Sequence, residues 1–398
     1  MCAATVAPED AKSSPSERLA SSVEAVAHVA TQHARDVDVR ARLPVEAIAA
    51  LRERNLLAAV APRDLGGAGL SVQELAAVAR RIARSCGSTA MVWAMHQGQL
   101  ACLCRHHGDA PALVEMARTA VAQQWLIASA TSEPAGGGDI RTSAAALVTS
   151  SDSSGTATLT KDATTVSYGA AADLLQVTAR RNAEAAANDQ VLVAVLREQA
   201  TLEQRGTWAP LGMRGTSSPG FRLTAAVPEG QVLSDPFADI AGATMVPLTH
   251  TLWAAVWLGL AGEAVSRAVK VSRRRAAGHR GGDTARSALG EARWRLASLE
   301  ALLADMVVRT QELLDECAQP TAGQSVRTNA LKVAASESAL EIAHLSLRVC
   351  GMAGYSEEGP FSVARIIRDL SSAPIMINNN RLLDTTAQLM LMERQHSW

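Results

Sequence analysis

The N-terminal third of the chain has the hydrophobic pattern of amphipathic helices. Between residues 16 and 124, apolar side chains recur at intervals of three and four, most clearly over 45–57 and 72–83. Ser71 precedes the second of these stretches and is followed three residues later by Glu74, which is the spacing of a helix capping box. The pattern predicts an all-helical first domain.

The middle of the chain has a different pattern. Between residues 125 and 235 the apolar runs are short, and Gly, Ser, Asn and Pro clusters separate them. The clearest runs are 156–159, 174–179 and 191–196. Runs of this length predict the strands of a small barrel or sandwich.

Helical periodicity returns after residue 235 and continues to the end, with breaks near 278–283, 320–323 and 351–360. Long helices without strands are typical of a bundle. The fold class we predict is therefore α+β and multidomain. It comprises an N-terminal helical domain (1–124), a central β-barrel or sandwich (125–235) and a C-terminal four-helix bundle (236–398).

Composition narrows the possible partners. The 398 residues are 48% hydrophobic and 19% charged, with a formal net charge of -1. This balance gives no overall electrostatic reason to bind nucleic acid or an acidic membrane. The most apolar stretch, 252–264, is shorter than the roughly 20 residues that a membrane-spanning helix needs, so we expect a buried core helix there.

Cysteines and the N-terminal region bear on the compartment. The six cysteines have no repeated spacing, which favours a reducing compartment over a disulfide framework and offers no metal-ligand pattern. The first thirty residues lack the apolar core of a secretory signal. We therefore expect a cytoplasmic protein without a metal site.

Five segments stand in an informative order along the chain. They are Ala-Pro-Arg-Asp-Leu-Gly-Gly-Ala-Gly at 61–69, Thr-Ser-Glu-Pro-Ala-Gly-Gly-Gly-Asp at 131–139, Leu-Gly-Met-Arg-Gly-Thr-Ser-Ser at 211–218, Gly-Met-Ala-Gly-Tyr at 351–355, and Arg-Asp at 368–369. Together they resemble the signatures of the acyl-CoA dehydrogenase family over nearly the whole chain. The order of helical, β and helical regions agrees with that resemblance.

The resemblance implies FAD bound between the β domain and the bundle, in a subunit that assembles as a homotetramer or homodimer. Short hydroxyl side chains beside a glycine-rich turn could approach the flavin closely, and arginines could hold its pyrophosphate. The expected cofactor-binding residues are Thr131, Ser132, Thr165, Ser167, Arg275, Arg348, Gly351 and Gly354. An ordinary turn, solvent-facing strand residues and a solvated arginine run remain the structural alternatives.

The chain departs from the family pattern at four positions. Gly138 stands where a serine is common, Thr165 replaces the tryptophan that covers the flavin, and Ala277 replaces a phenylalanine. Ile377 occupies the place of the glutamate that removes the α-proton of the acyl thioester. No carboxylate occurs anywhere in 370–383, and amides or alkyl groups cannot act as bases near neutral pH.

Two histidines are the candidate replacements for that base. Some family members place the glutamate on the first bundle helix, in a segment that here spans 246–253 and contains His250 as its only group titrating near pH 7. His250 is therefore the catalytic candidate, and His96 is the second. The alternative for either residue is a histidine packed in the core.

Three functions follow from the resemblance. The first is dehydrogenation of an acyl thioester carried by coenzyme A or an acyl-carrier protein, with an electron-transfer partner. The second is a flavin-dependent monooxygenase or N-hydroxylase that uses oxygen and reduced flavin from a separate reductase, and has no use for the glutamate. The third is a flavin-poor, non-catalytic scaffold. Of the three functions, the sequence favours the first.

Overall fold

The computed structural model describes residues 14–134, 140–149, 155–277 and 283–392. Its N-terminal region is helical, as predicted. The helices are α1 (Pro15–Val39), α2 (Val45–Glu53), α3 (Val72–Ala83), α4 (Gly87–His106) and α5 (Pro111–Ala122).

Local sequence determines where these helices begin and end. The Ser71 hydroxyl accepts the backbone N–H of Glu74 at 3.3 Å, and the Glu74 carboxylate accepts the N–H of Ser71 at 2.8 Å, which confirms the capping box. The apolar pattern over 45–57 extends beyond the helix it predicts. α2 ends at Glu53, and Asn55 takes a left-handed conformation that turns the chain.

The described strands form two small sheets. They are β1 (Ile127–Ala130), β2 (Val148–Thr149), β3 (Thr156–Ala163), β4 (Leu174–Arg180), β5 (Gln190–Leu196), β6 (Ala200–Arg205) and β7 (Gly220–Pro228). One sheet has the order β1-β4-β5, with β1 parallel to β4, and the other has the order β2-β3-β7-β6 with antiparallel pairs. β4 and β5 are buried along almost their whole length, whereas β3 and β7 alternate buried and exposed residues.

The C-terminal region is again helical. It contains α6 (Phe237–Ile240), a π-helical turn at Ala241–Met245, α7 (Val246–Ala277), α8 (Asp283–Glu316), α9 (Ala322–Cys350), α10 (Met352–Tyr355), α11 (Ala364–Leu370) and α12 (Asn379–Met392). α9 packs against α7, α8 and α12, which confirms the predicted bundle.

The long apolar helix lies in the core. The stretch Phe237–Ala277 is long and apolar enough to cross a membrane by length and composition alone. In its most apolar window, however, 89% of the residues are buried inside the protein. This is the burial expected of a core helix, as the sequence predicted for 252–264.

Two of the motifs, the 211–218 segment and the Arg368-Asp369 pair, connect the β domain to the bundle. The buried Asp369 carboxylate accepts the backbone N–H of Met213 at 2.6 Å. The neighbouring Arg368 pairs with Asp38 of α1, and Arg214 donates to the Asp38 carbonyl at 2.7 Å. The Arg-Asp pair and the 211–218 segment therefore hold all three regions together.

Candidate active site

Predicted hydroxyl residues from two segments meet after β1 and β3. The Ser132 hydroxyl donates to the carbonyl of Thr165 at 2.9 Å and accepts the Thr165 N–H at 3.1 Å. The Ser167 hydroxyl accepts from the Ser218 hydroxyl at 2.8 Å. Thr131 accepts from a neighbouring serine hydroxyl at 3.4 Å. Ser132, Thr165 and Ser167, which we call the hydroxyl cluster, retain some solvent exposure.

A buried ion pair fixes the chain directly after Ser132. Lys161 is fully buried and donates to the carboxylate of Glu133, the residue after Ser132. Glu133 also accepts from the Ser143 hydroxyl at 2.5 Å, and Lys161 donates to the Thr178 carbonyl at 2.9 Å. Burial opposes ionisation of Glu133, but the hydrogen bonds from Lys161 and Ser143 outweigh it, so the pKa of the carboxyl is lowered. Burial lowers the pKa of Lys161.

The second group of predicted cofactor residues forms at the end of α9. The Arg275 guanidinium donates to the carbonyls of Val349 at 2.6 Å and Cys350 at 2.9 Å, and so caps the helix. Gly351 follows with φ 61° and ψ -143°, a backbone conformation for which glycine is suited. A Cβ on Gly354 would lie 2.4 Å from the Cβ of Cys350, so the chain packs closely there.

Within one chain, no described hydrogen bond joins the hydroxyl cluster to the Arg275–Gly351 group. Arg348 lies exposed on the last turn of α9. Ala277 is exposed at the end of α7, and Gly138 lies outside the described residues. The cofactor roles of all these residues remain predictions.

Hydrogen bonds from a buried lysine fix the backbone at the position where the family's glutamate is expected. Ile377 has φ 50°, an unfavourable value for a β-branched residue. The buried Lys332 ammonium donates to the carbonyls of Ile377 at 2.7 Å and Ala373 at 3.0 Å, and to the side-chain oxygen of Asn379 at 2.7 Å. Burial lowers the pKa of Lys332 to about 8.

His250 is enclosed between α7 and α9. Its ring centroid lies 5.9 Å from that of Trp253, and neither ring nitrogen makes a hydrogen bond of ordinary geometry. Burial, assisted by the positive charge of Lys332, lowers the pKa of His250 to about 3, against a weak opposing effect of the Thr328 backbone. The imidazole is therefore neutral at pH 7 and a weak base.

The surroundings of His96 indicate a structural role. Its Nδ1 accepts the backbone N–H of Ile127 at 3.0 Å, and its Nε2 lies 2.7 Å from the carbonyl of Leu57. Burial lowers the pKa of His96 to about 4. Because both nitrogens are engaged, this neutral ring links α4 to β1 and has no nitrogen left for a substrate.

Two buried lysines at the site, Lys161 and Lys332, were not predicted from the sequence. In β3, Lys161 falls on the inward side of the alternating pattern, together with Leu159 and Ala163. Lys332 falls on the core-facing side of α9, with Ala335 and Ala339 one and two turns later. A charged residue on the apolar side of an element is the signal that could have identified both.

Comparisons with known proteins agree with this architecture. The acyl-CoA dehydrogenase N-terminal domain matches residues 16–133, and the acyl-CoA dehydrogenase C-terminal domain matches residues 244–377. The cyclohex-1-ene-1-carbonyl-CoA dehydrogenase of Syntrophus aciditrophicus (strain SB) is 25% identical over 364 residues, which span 87% of this chain and 82% of that protein.

Two solved structures show the same fold. FMN-bound TdsC from Paenibacillus sp. A11-2 has a TM-score of 0.82 at 20% identity, covering 96% of this chain and 98% of its own. Butyryl-CoA dehydrogenase from Megasphaera elsdenii has a TM-score of 0.79 at 19% identity, covering 96% and 100%. With both terminal domains matched and the fold shared over nearly its full length, the chain belongs to the acyl-CoA dehydrogenase family.

Proposed function

We propose that this protein is a flavin-dependent oxidoreductase that binds FAD at the hydroxyl cluster. Ser132, Thr165 and Ser167 supply hydroxyl and backbone groups that suit the polar edge of a flavin ring. Arg275 would hold the pyrophosphate, and Arg348 and Gly351 would lie against the adenine half, in keeping with the resemblance. When bound, the flavin supplies two-electron redox chemistry, and the chain supplies position and electrostatics.

Among redox reactions, we propose oxygenation of a bound substrate. The observation that carries this choice is the state of His250, which has a pKa of about 3 and lies beside the Lys332 ammonium. Neither segment that could hold the family's base, 246–253 or 370–383, contains a carboxylate. The chain therefore has no strong base there to take a proton from carbon at neutral pH.

Oxygenation does not require such a base. One atom of O₂ enters the substrate and the other leaves as water, with two electrons and two protons coming from reduced flavin. A separate reductase would renew the reduced flavin. Thr165 also fits this reaction, because a small side chain in place of an indole removes a stacking surface from the flavin site.

Dehydrogenation of an acyl thioester, on coenzyme A or an acyl-carrier protein, is the second candidate. Both ring nitrogens of His250 and the nearby buried hydroxyl of Thr249 lack hydrogen-bond partners in the described structure, so a ligand could use them. In that case the neutral His250 would take the α-proton. The name of the Syntrophus relative, a dehydrogenase of an acyl-CoA, also favours this candidate.

We further propose a cytoplasmic homotetramer or homodimer. The Arg275–Gly351 group and the hydroxyl cluster form no described hydrogen bond within one chain, which fits a cofactor held between two subunits. Sedimentation equilibrium of the purified protein tests this assembly, and a monomer would contradict it.

Flavin binding is tested first, by titrating FAD and FMN into the purified protein. We expect FAD to bind more tightly than FMN, and we expect a roughly fivefold larger dissociation constant for FAD in the Ser132→Ala variant, because a hydrogen bond between neutral groups contributes about 1 kcal/mol. Ser298→Ala, on α8, is the matched control and should bind as the wild type does. A protein that takes up neither flavin would support the scaffold alternative.

The reaction type is tested with the flavin-loaded protein. Under anaerobic conditions, acyl-CoA and acyl-carrier thioesters should leave oxidised flavin unbleached if the chain is an oxygenase. With oxygen and a flavin reductase, a panel that includes indole, which is bound in a TdsC structure, should yield oxygenated product. Anaerobic bleaching by a thioester, abolished in His250→Gln, would instead establish dehydrogenation.

A further inference from the structure

A cleft on the helical face has five arginines among the residues that line it. It consists of two adjoining cavities of about 400 Å³ and 500 Å³. Both cavities are lined by Arg35 of α1, Arg267 of α7 and Arg365 of α11. The larger one adds Arg81 of α3 and Arg84, the residue that follows α3. Side chains from four helices thus converge on one concave surface.

Carboxylates only partly balance these arginines. Glu263 is shared, lying 3.0 Å from Arg267 and 3.5 Å from Arg84. Glu358 pairs with Arg35 at the exposed rim. Counted over both linings, five guanidinium groups face three carboxylates.

Two further pairs involve residues outside the cleft. Arg81 is held by Glu24, at 2.6 Å through each oxygen. Glu357, the third lining carboxylate, lies 3.2 Å from Arg368, which also pairs with Asp38 of α1. Neither pair supplies a carboxylate to Arg365.

Among the lining arginines, Arg365 is the one without a described ion pair to a carboxylate. Its one described hydrogen bond goes to the carbonyl of Ser85 at 3.3 Å, and its charge also acts on the buried carboxyl of Asp369, but none of the described ion pairs involves it. A guanidinium has five N–H donors in a planar fork that matches two oxygens of a phosphate. Arg267, 20% exposed at the floor of the cleft, is held in place by Glu263 and the Ser362 carbonyl.

We propose that this cleft binds a phosphoryl group, as a diphosphate either free or carried on a nucleotide. Arg365 and Arg35 would contact its oxygens directly, and Arg267 would supply charge from below. None of the lining residues belongs to the hydroxyl cluster or to the Arg275–Gly351 group, so the site is additional to the proposed flavin site. It would bind ligand whether or not the proposed oxygenation is correct.

The test is calorimetric titration of the full-length protein with inorganic pyrophosphate, ADP and sulfate. We expect pyrophosphate to bind, and Arg365→Gln and Arg35→Gln each to weaken it about tenfold, because one charge-assisted hydrogen bond contributes about 1.5 kcal/mol. Arg35 is 73% exposed, so its variant should fold normally. Arg309→Gln, an exposed ion-paired arginine on α8, is the control and should not change binding.

The titrations with ADP and with pyrophosphate distinguish a nucleotide from a free diphosphate as the ligand. Tighter binding of ADP than of pyrophosphate would identify a nucleotide site, and equal binding would identify a site for the diphosphate alone. Affinity should fall as salt is added, since the contacts are ionic and partly exposed. Absence of pyrophosphate binding at millimolar concentration, sulfate binding of equal strength, or unchanged affinity in both variants would overturn the proposal.

Discussion

The ammonium group of Lys332 donates a 2.7 Å hydrogen bond to the carbonyl of Ile377, the residue that stands where the family's glutamate is expected. Two more acceptors, the Ala373 carbonyl and the Asn379 side chain, complete its three hydrogen bonds. A buried cation thus holds this segment by its main chain, although Ile377 has a left-handed φ of 50°. The same cation disfavours a proton on His250.

Replacing Lys332 with methionine should destabilise the protein strongly. The change removes the Lys332 donor from the carbonyls of Ala373 and Ile377 and leaves the side-chain oxygen of Asn379 with the Ser336 hydroxyl at 3.3 Å, so we expect the free energy of unfolding to fall by about 3 kcal/mol. Urea denaturation measures the loss, and hydrogen exchange should show faster opening of residues 373–379. Lys270→Met, at an exposed position on the same bundle, should change little. Equal stability of the two variants would show that the three hydrogen bonds contribute nothing net.

The Glu133–Lys161 pair should behave as a coupled unit. Lys161 is 0% exposed and Glu133 is 7% exposed, so either single substitution leaves its partner buried without compensation. We expect Lys161→Met or Glu133→Gln alone to cost about 3 to 5 kcal/mol, and the double variant to cost less than the sum. A double-mutant cycle by chemical denaturation gives the coupling energy. Additive costs would mean that the two charges do not interact.

The sequence was informative where pattern alone decides structure. The capping box at Ser71, the strand runs and the bundle follow from local rules, and the order of the motifs along the chain resembles that of the family. The protonation state of the site residues could not be predicted in the same way. The burial of His250 and its closeness to Lys332 both depend on the packing of α9 against α7, so the weak basicity of His250 could not be deduced from residue type.

The same limit applies to the predicted cofactor residues. Ser132 and Thr165 are 33 positions apart and meet because the ends of β1 and β3 adjoin. The resemblance anticipated both, whereas spacing alone could not. Arg275 contacts the carbonyls before Gly351 through a helix-to-helix contact that the sequence does not encode locally. The arginines of the cleft lie on or directly after four helices that are far apart in the sequence, so no local motif predicts the cleft.

Asp369 should make the protein less stable as pH rises. Burial raises its pKa to about 6 from 3.8, so folding favours the protonated form. Its stabilising contribution is complete below about pH 3.8 and is lost as pH rises through about 6. Relative to Asp369→Asn, wild type should lose about 2 to 3 kcal/mol over that window, at 1.36 kcal/mol per pKa unit. Urea denaturation of both proteins between pH 4 and about 7 measures this difference, and parallel profiles would contradict it.

His250 should have the opposite pH dependence. Its pKa is lowered from 6.5 to about 3 by burial and by Lys332, so folding favours the neutral ring, and the stability it contributes is lost as pH falls below about 6.5. His250→Gln and His250→Phe carry no titrating group, so wild type should lose about 2 kcal/mol relative to both between pH 6.5 and roughly 4.5. His28→Gln, at an exposed site on α1, is the control and should follow wild type. If wild type and the His250 variants lose stability in parallel, the imidazole is not held neutral by the fold. His250 would then be basic enough to take a proton near neutral pH, and thioester dehydrogenation would become the better-supported reaction.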